Sequence, residues 1–113
     1  MRNGWIKLHR RLLDNPICCK DADYLAVWIY LLLEATHQPR DKLFDGKRIT
    51  LRPGQLITGR KVIASALNIG ESKVRRILQA FENDQQIDRL RGAKGSLISV
   101  LSWDNYQEND QQN

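Results

Sequence analysis

A chain of 113 residues with net charge +5 and pI near 9.5 is one basic domain, large enough to build a core without metal or disulfide staples. Cys18 and Cys19 are the only cysteines and are adjacent, which excludes a disulfide framework and a zinc site and leaves two reduced thiols. The longest apolar run, residues 24–33, is too short to span a bilayer and no signal-peptide pattern opens the sequence, so the expected location is the cytoplasm.

Trp5-Ile6-Lys7-Leu8 is a short apolar-rich stretch, strand or irregular. His9 to Asp14 makes one helical turn or two and stops at Asn15-Pro16, because a proline disfavours a helical residue before it. Asp21 or Asp23 is placed to cap a helix from about Tyr24 to Thr36. That helix is apolar on all sides, which predicts a central buried element with Trp28 and Tyr30 in the core. Asp45-Gly46, between β-prone flanks, signals a hairpin within Lys42 to Thr50. Pro53-Gly54 makes a further turn, Gln55 to Ile57 a short strand, and the Thr58 hydroxyl is placed to cap the helix that follows.

From Thr58 the pattern changes. Val62, Ile63, Ala66 and Leu67 give a short helix an apolar side, and Asn68-Ile69-Gly70 follows as a turn. A second helix, from Glu71 or Ser72 to about Asn83, carries Val74, Ile77, Leu78 and Phe81 on one face. Ser72, Arg76, Gln79 and Asn83 lie opposite Val74, with Lys73 and Arg75 on the flanks. Two strands, Ile87 to Arg91 and Ser96 to Leu101, are joined at Gly92-Ala93-Lys94-Gly95. Trp103 and Tyr106 are expected to pack back on the domain, and residues 107–113 to form a polar tail or the start of a linker. The domain therefore spans 1–106. Its expected class is α+β, mainly α: a winged helix-turn-helix over residues 58–101 with an added N-terminal segment and β-hairpin.

Charge follows the same segment. Between Arg60 and Lys94 there are eight Lys/Arg against four Asp/Glu, whereas residues 95–113 hold three acids and no Lys/Arg. Basicity of this size favours a polyanion, and this pattern favours nucleic acid. Arg76 and Gln79 suit base edges, and Ser72 and Lys73 suit phosphates, with Arg75 beside them. Arg60 and Lys61 at the start of the first motif helix would clamp backbone, since the macrodipole does not favour cations there. Arg89, Arg91 and Lys94 would meet the backbone or minor groove from the wing. His9 and His37 have no metal-ligand spacing, and there is no phosphate-cradling glycine loop or nucleophile motif. Neither enzymatic activity nor a cofactor or metal is expected.

Gly4-Trp5 through Asn15-Pro16, Tyr24 to Leu33, Ile49 to Arg60, Leu67 to Leu78 and Trp103-Asp104-Asn105-Tyr106 together resemble the N-terminal domains of phage replisome-organiser proteins. These are similar to the N-terminal domain of DnaD-type primosomal proteins. The resemblance covers residues 4 to about 107. It implies a winged-helix fold and a place in starting DNA replication, where members assemble the primosome and recruit or load the replicative helicase. In some relatives this domain mainly self-associates, and many members carry a second DNA-contacting domain. The expected partners are thus DNA, duplex or single-stranded, a second copy of the chain as dimer or higher oligomer, and a helicase or its loader. The alternative on the same fold is a winged-helix transcriptional regulator.

Overall fold

A computed structural model describes residues 4–104 and residue 107. After a short 3-10 helix, Arg10–Asp14, the order is α1 (Ala22–Glu34), β1 (Arg40–Phe44), β2 (Lys47–Leu51), β3 (Gln55–Thr58), α2 (Arg60–Leu67), α3 (Glu71–Asn83), β4 (Ile87–Arg91) and β5 (Ser96–Val100). The class is α+β, with two small antiparallel sheets: β1 with β2, and β3-β5-β4. Among the described residues no helix is long and apolar enough to cross a membrane. The stretch Trp5–Leu8 takes no regular secondary structure.

Local chemistry sets several of these boundaries. The Asp21 carboxylate accepts the Tyr24 amide at 3.0 Å and caps α1. Asn68 ends α2 in the left-handed conformation, at φ 56°, ψ 46°. Gly70 then leads into α3 with ordinary negative φ, so only the first of the two turn residues uses its left-handed tolerance. Asp45 and Gly46 both take positive φ, as a two-residue hairpin turn requires.

The core forms where α1, α3 and the three-stranded sheet meet. Phe81, Val27, Leu31, Ile63, Val74, Ile77, Ile87 and Ile98 are fully buried. Trp28 stands edge-on to Phe81 with centroids 5.4 Å apart, and Tyr24 does the same at 6.2 Å. Tyr30 packs only at the margin of this cluster.

Four expectations change. The first concerns α1, which is not buried all round: Tyr24, Val27, Trp28, Leu31 and Leu32 face the core, but Leu33 is 54% exposed. The helix packs against α2 and α3 on its buried side, and Leu25, Ala26, Ile29 and Tyr30 on its other sides are only half-buried. In α2 only Ile63 is fully buried, with Ala64 and Leu67 packed beside it, while Val62 and Ala66 are exposed. Eight residues offer one narrow stripe to the core. Thr58 is no cap. It is the last residue of β3, paired with Ser96, and its buried hydroxyl has no hydrogen-bond partner among the described residues; Gly59 holds the cap position with no side-chain bond.

Lastly, Gln107 is not tail: it is 4% exposed. Its side-chain amide accepts from the Lys7 backbone N–H at 3.0 Å and donates to the Lys7 carbonyl at 2.8 Å. The Lys7 ammonium returns a bond to the Gln107 carbonyl at 3.1 Å. One amide side chain thus mimics a strand partner and closes the two ends of the domain together. Trp103 is buried as expected; Tyr106 and residues 108–113 lie outside the described residues.

Gly54 shows how tightly Trp103 is held. Its φ is +89°, and a Cβ there would stand 2.7 Å from the indole Cγ. Gly54→Ala is therefore expected to cost about 2–3 kcal/mol through backbone strain and overpacking, read as a lower urea midpoint. An unchanged midpoint would mean that the indole moves freely aside.

Candidate nucleic-acid interface

The apolar face of α3 determines what the opposite face displays. With Val74, Ile77, Leu78 and Phe81 buried, Ser72, Arg75, Arg76 and Gln79 are exposed. Arg75 and Arg76 form no ion pair among the described residues, so two guanidinium groups stand open on the first half of the helix. Further along, the Gln79 amide is engaged: it donates to Asn83 at 3.0 Å and accepts a long bond from Arg89 at 3.4 Å.

Several cations expected at this face are drawn into the fold. The Lys73 ammonium reaches back to the start of α1 and pairs with Asp21 at 3.0 Å and Asp23 at 2.8 Å. The hydrogen bond to Asp23, then that to Asp21, raises its pKa. Asp21 is held below its usual value, first by the Tyr24 amide and then by Lys73. Arg60 pairs with Glu71 at 2.9 Å, tying the start of α2 to the start of α3. This bond explains a cation where the helix dipole disfavours one. Arg89 is a structural residue: its side chain is 7% exposed and its guanidinium meets Glu82 at 3.1 Å. Arg91 shares the same carboxylate at 3.1 Å but stays 56% exposed. Desolvation pulls the Glu82 carboxyl upward, but Arg89 and then Arg91 outweigh it and hold it below the usual carboxylate range.

What remains open is Lys61 on α2, Ser72, Arg75 and Arg76 on α3, and Lys94 with part of Arg91 on the β4–β5 hairpin. The chain brings the start of α2 beside the tip of the β4–β5 hairpin. Thr58 pairs with Ser96, and a Cβ on Gly95 would lie 3.0 Å from the Thr58 carbonyl oxygen. The tip itself closes through the Gly92 N–H, which donates to the Gly95 carbonyl at 2.7 Å.

A contact that local patterning did not reveal joins the two hairpins. The Ala93 N–H donates to the Asp45 carboxylate at 2.8 Å. The Phe44 ring lies so close to Gly92 that a Cβ there would stand 2.8 Å from it. The β1–β2 hairpin is thereby docked onto the tip of the β4–β5 hairpin, and its cations Arg40, Lys42, Lys47 and Arg48, with Arg52 just beyond it, are exposed. Their local excess over acids was the available signal.

No group of His, Cys, Asp and Glu among the described residues could hold a metal ion. Both cysteines are free thiols. Burial, then Cys19 and Asp84, pushes the Cys18 thiol up to about 12, so it stays protonated at neutral pH.

Glu82 ties β4 to α3, and Glu82→Gln leaves the nearly buried Arg89 without its counter-charge. The expected loss at neutral pH is about 1–2 kcal/mol, since Glu82 remains partly in solvent. A carboxylate with a lowered folded pKa stabilises above the usual carboxylate range and loses that contribution as pH falls through its folded value. The stability gap between wild type and Glu82→Gln should therefore narrow in acid. A gap constant with pH would show that charge is not what Glu82 supplies.

Comparison with family models, curated proteins and solved structures finds no match to this chain.

Proposed function

We propose that β3, α2, α3 and the β4–β5 hairpin form a winged helix-turn-helix that binds duplex DNA. The observation that carries this reading is the exposed, unpaired pair Arg75–Arg76 on the free face of α3, beside Ser72. In that pose α3 enters the major groove, where Arg76 is suited to a guanine edge and Ser72 to a phosphate. Lys94 and Arg91 follow the backbone from the wing, and Lys61 adds a phosphate contact from α2. Arg60, Lys73 and Arg89 support the interface by holding its elements together instead of touching DNA.

The resemblance of the Gly4–Pro16, Ile49–Arg60 and Trp103–Tyr106 segments to replisome-organiser domains favours replication initiation over transcription as the setting. The protein would there serve as a DNA-binding and assembly module that helps bring in a helicase or its loader. Self-association belongs to the same proposal. Trp5 at 83% exposure, with Leu8 and Leu13 also exposed, supplies apolar surface suited to a second copy. Sedimentation that shows only monomer at high micromolar concentration removes this part.

Binding is tested on duplex DNA across a salt series. About five phosphate contacts from α2, α3 and the β4–β5 hairpin contribute about −4.5 to the log–log slope. Arg76→Ala should weaken specific binding by roughly 1–3 kcal/mol and leave thermal stability unchanged. Tight binding with a flat salt response contradicts the interface; loss of the folded state contradicts the outward position of Arg76.

A further inference from the structure

The β1–β2 hairpin takes no part in the helix-turn-helix, yet it is densely cationic. Residues 40–52 hold five Lys/Arg against two Asp/Glu. Among the described residues none of those five cations is in an ion pair, whereas Arg60, Lys73, Arg89 and Arg91 of the adjoining motif all are. Both acids are engaged: Asp41 accepts from the Thr50 hydroxyl at 2.9 Å, and Asp45 accepts from the wing.

Charge scattered over an edge strand serves to prevent sheet-to-sheet aggregation. Here the placement is more ordered. Arg40, Lys42 and Phe44 alternate along β1, and Lys47 is the cross-strand partner of Phe44. Arg40, Lys42 and Lys47 therefore share the face from which Phe44 meets Gly92, together with Ile49 and the buried Leu51, so this face turns toward the domain and its three cations reach solvent at its rim; Arg48, opposite the exposed Leu43, sits on the other face. The Asp45–Ala93 bond and the Phe44–Gly92 contact fasten this face to the wing.

We propose that the β1–β2 hairpin is a second arm of the duplex interface. Arg40, Lys42 and Lys47 take backbone phosphates next to those taken by the wing, and Asp45 and Phe44 hold the two tips in register. The inference rests on the duplex-binding reading above and extends it to an element outside the winged helix.

The test uses the full chain and the combined variant Arg40→Gln, Lys42→Gln, Lys47→Gln, measured by fluorescence anisotropy on a duplex over a salt series. Loss of three contacts should make the log–log slope shallower by about 2.7 with the melting temperature unchanged. Arg48→Gln, on the other face, should keep the slope of the wild type. Gly92→Ala, which forces the Phe44 ring off the wing, should also make the slope shallower although it removes no charge. A triple variant that keeps the wild-type slope, while an Arg75→Ala, Arg76→Ala variant loses binding, overturns the arm and leaves the helix reading intact. A wild-type chain that does not bind duplex overturns both. A triple variant impaired only in single-strand binding or only in self-association gives this face to another partner and equally overturns the arm.

Discussion

Phe81 stands where α1 meets α3, fully buried and edge-on to both Trp28 and Tyr24. Its position sets the roll of α3 about its own axis. Successive helical residues turn by a fixed angle, so once Phe81, Ile77 and Val74 point inward, Ser72, Arg75 and Arg76 must point outward. The display of cations on this helix is thus a consequence of core packing and needs no separate device. Everything proposed about function depends on that roll. A rotation by one residue would bury an arginine and expose an aromatic ring.

Ion pairing then sorts the remaining charge. Acids stand where they can hold cations in the fold: Asp21 and Asp23 take Lys73 at the start of α1, Glu71 takes Arg60, and Glu82 takes Arg89 and Arg91. Pairs as exposed as Arg60–Glu71 contribute little stability in themselves, at most about 1 kcal/mol. Their effect is positional, since each joins two elements that flank the open surface. Among the described residues the cations without such partners stand on the outer face of α3, at the start of α2, at the tip of the β4–β5 hairpin and along the β1–β2 hairpin, with a further group at Arg10, Arg11 and Lys20. Positive potential there comes from the absence of nearby acids as much as from the number of Lys and Arg.

The parts of this architecture that depend on short-range chemistry were legible in the sequence. The Asn68 turn, the Asp45-Gly46 hairpin, the Asp21 cap and the amphipathic face of α3 each follow from residues within one or two turns of each other. What was not legible depends on partners distant in the chain. Lys73 looks like an outward cation until Asp21, 52 positions earlier, comes to meet it. Arg89 looks like a wing cation until the strand folds onto Glu82. Gln107 reads as tail because its partner, Lys7, lies 100 positions away. The Thr58 hydroxyl looks like a cap one position too late, because β3 continues to it and a strand side chain directed inward cannot cap a helix. The docking of Asp45 on Ala93, across 48 positions, had no local signature either.

The central claim is that one continuous surface, running from the outer face of α3 over the wing tip to the β1–β2 hairpin, receives duplex DNA. Amide chemical-shift mapping of the isotopically labelled chain during titration with a short duplex tests it most directly. The account predicts that the largest changes fall on residues 71–76, 91–95 and 40–48, and that the Lys7–Gln107 closure and Trp103 stay at their free positions. Changes confined to the exposed segment around Trp5, Leu8 and Leu13, or spread evenly over the domain, would contradict it.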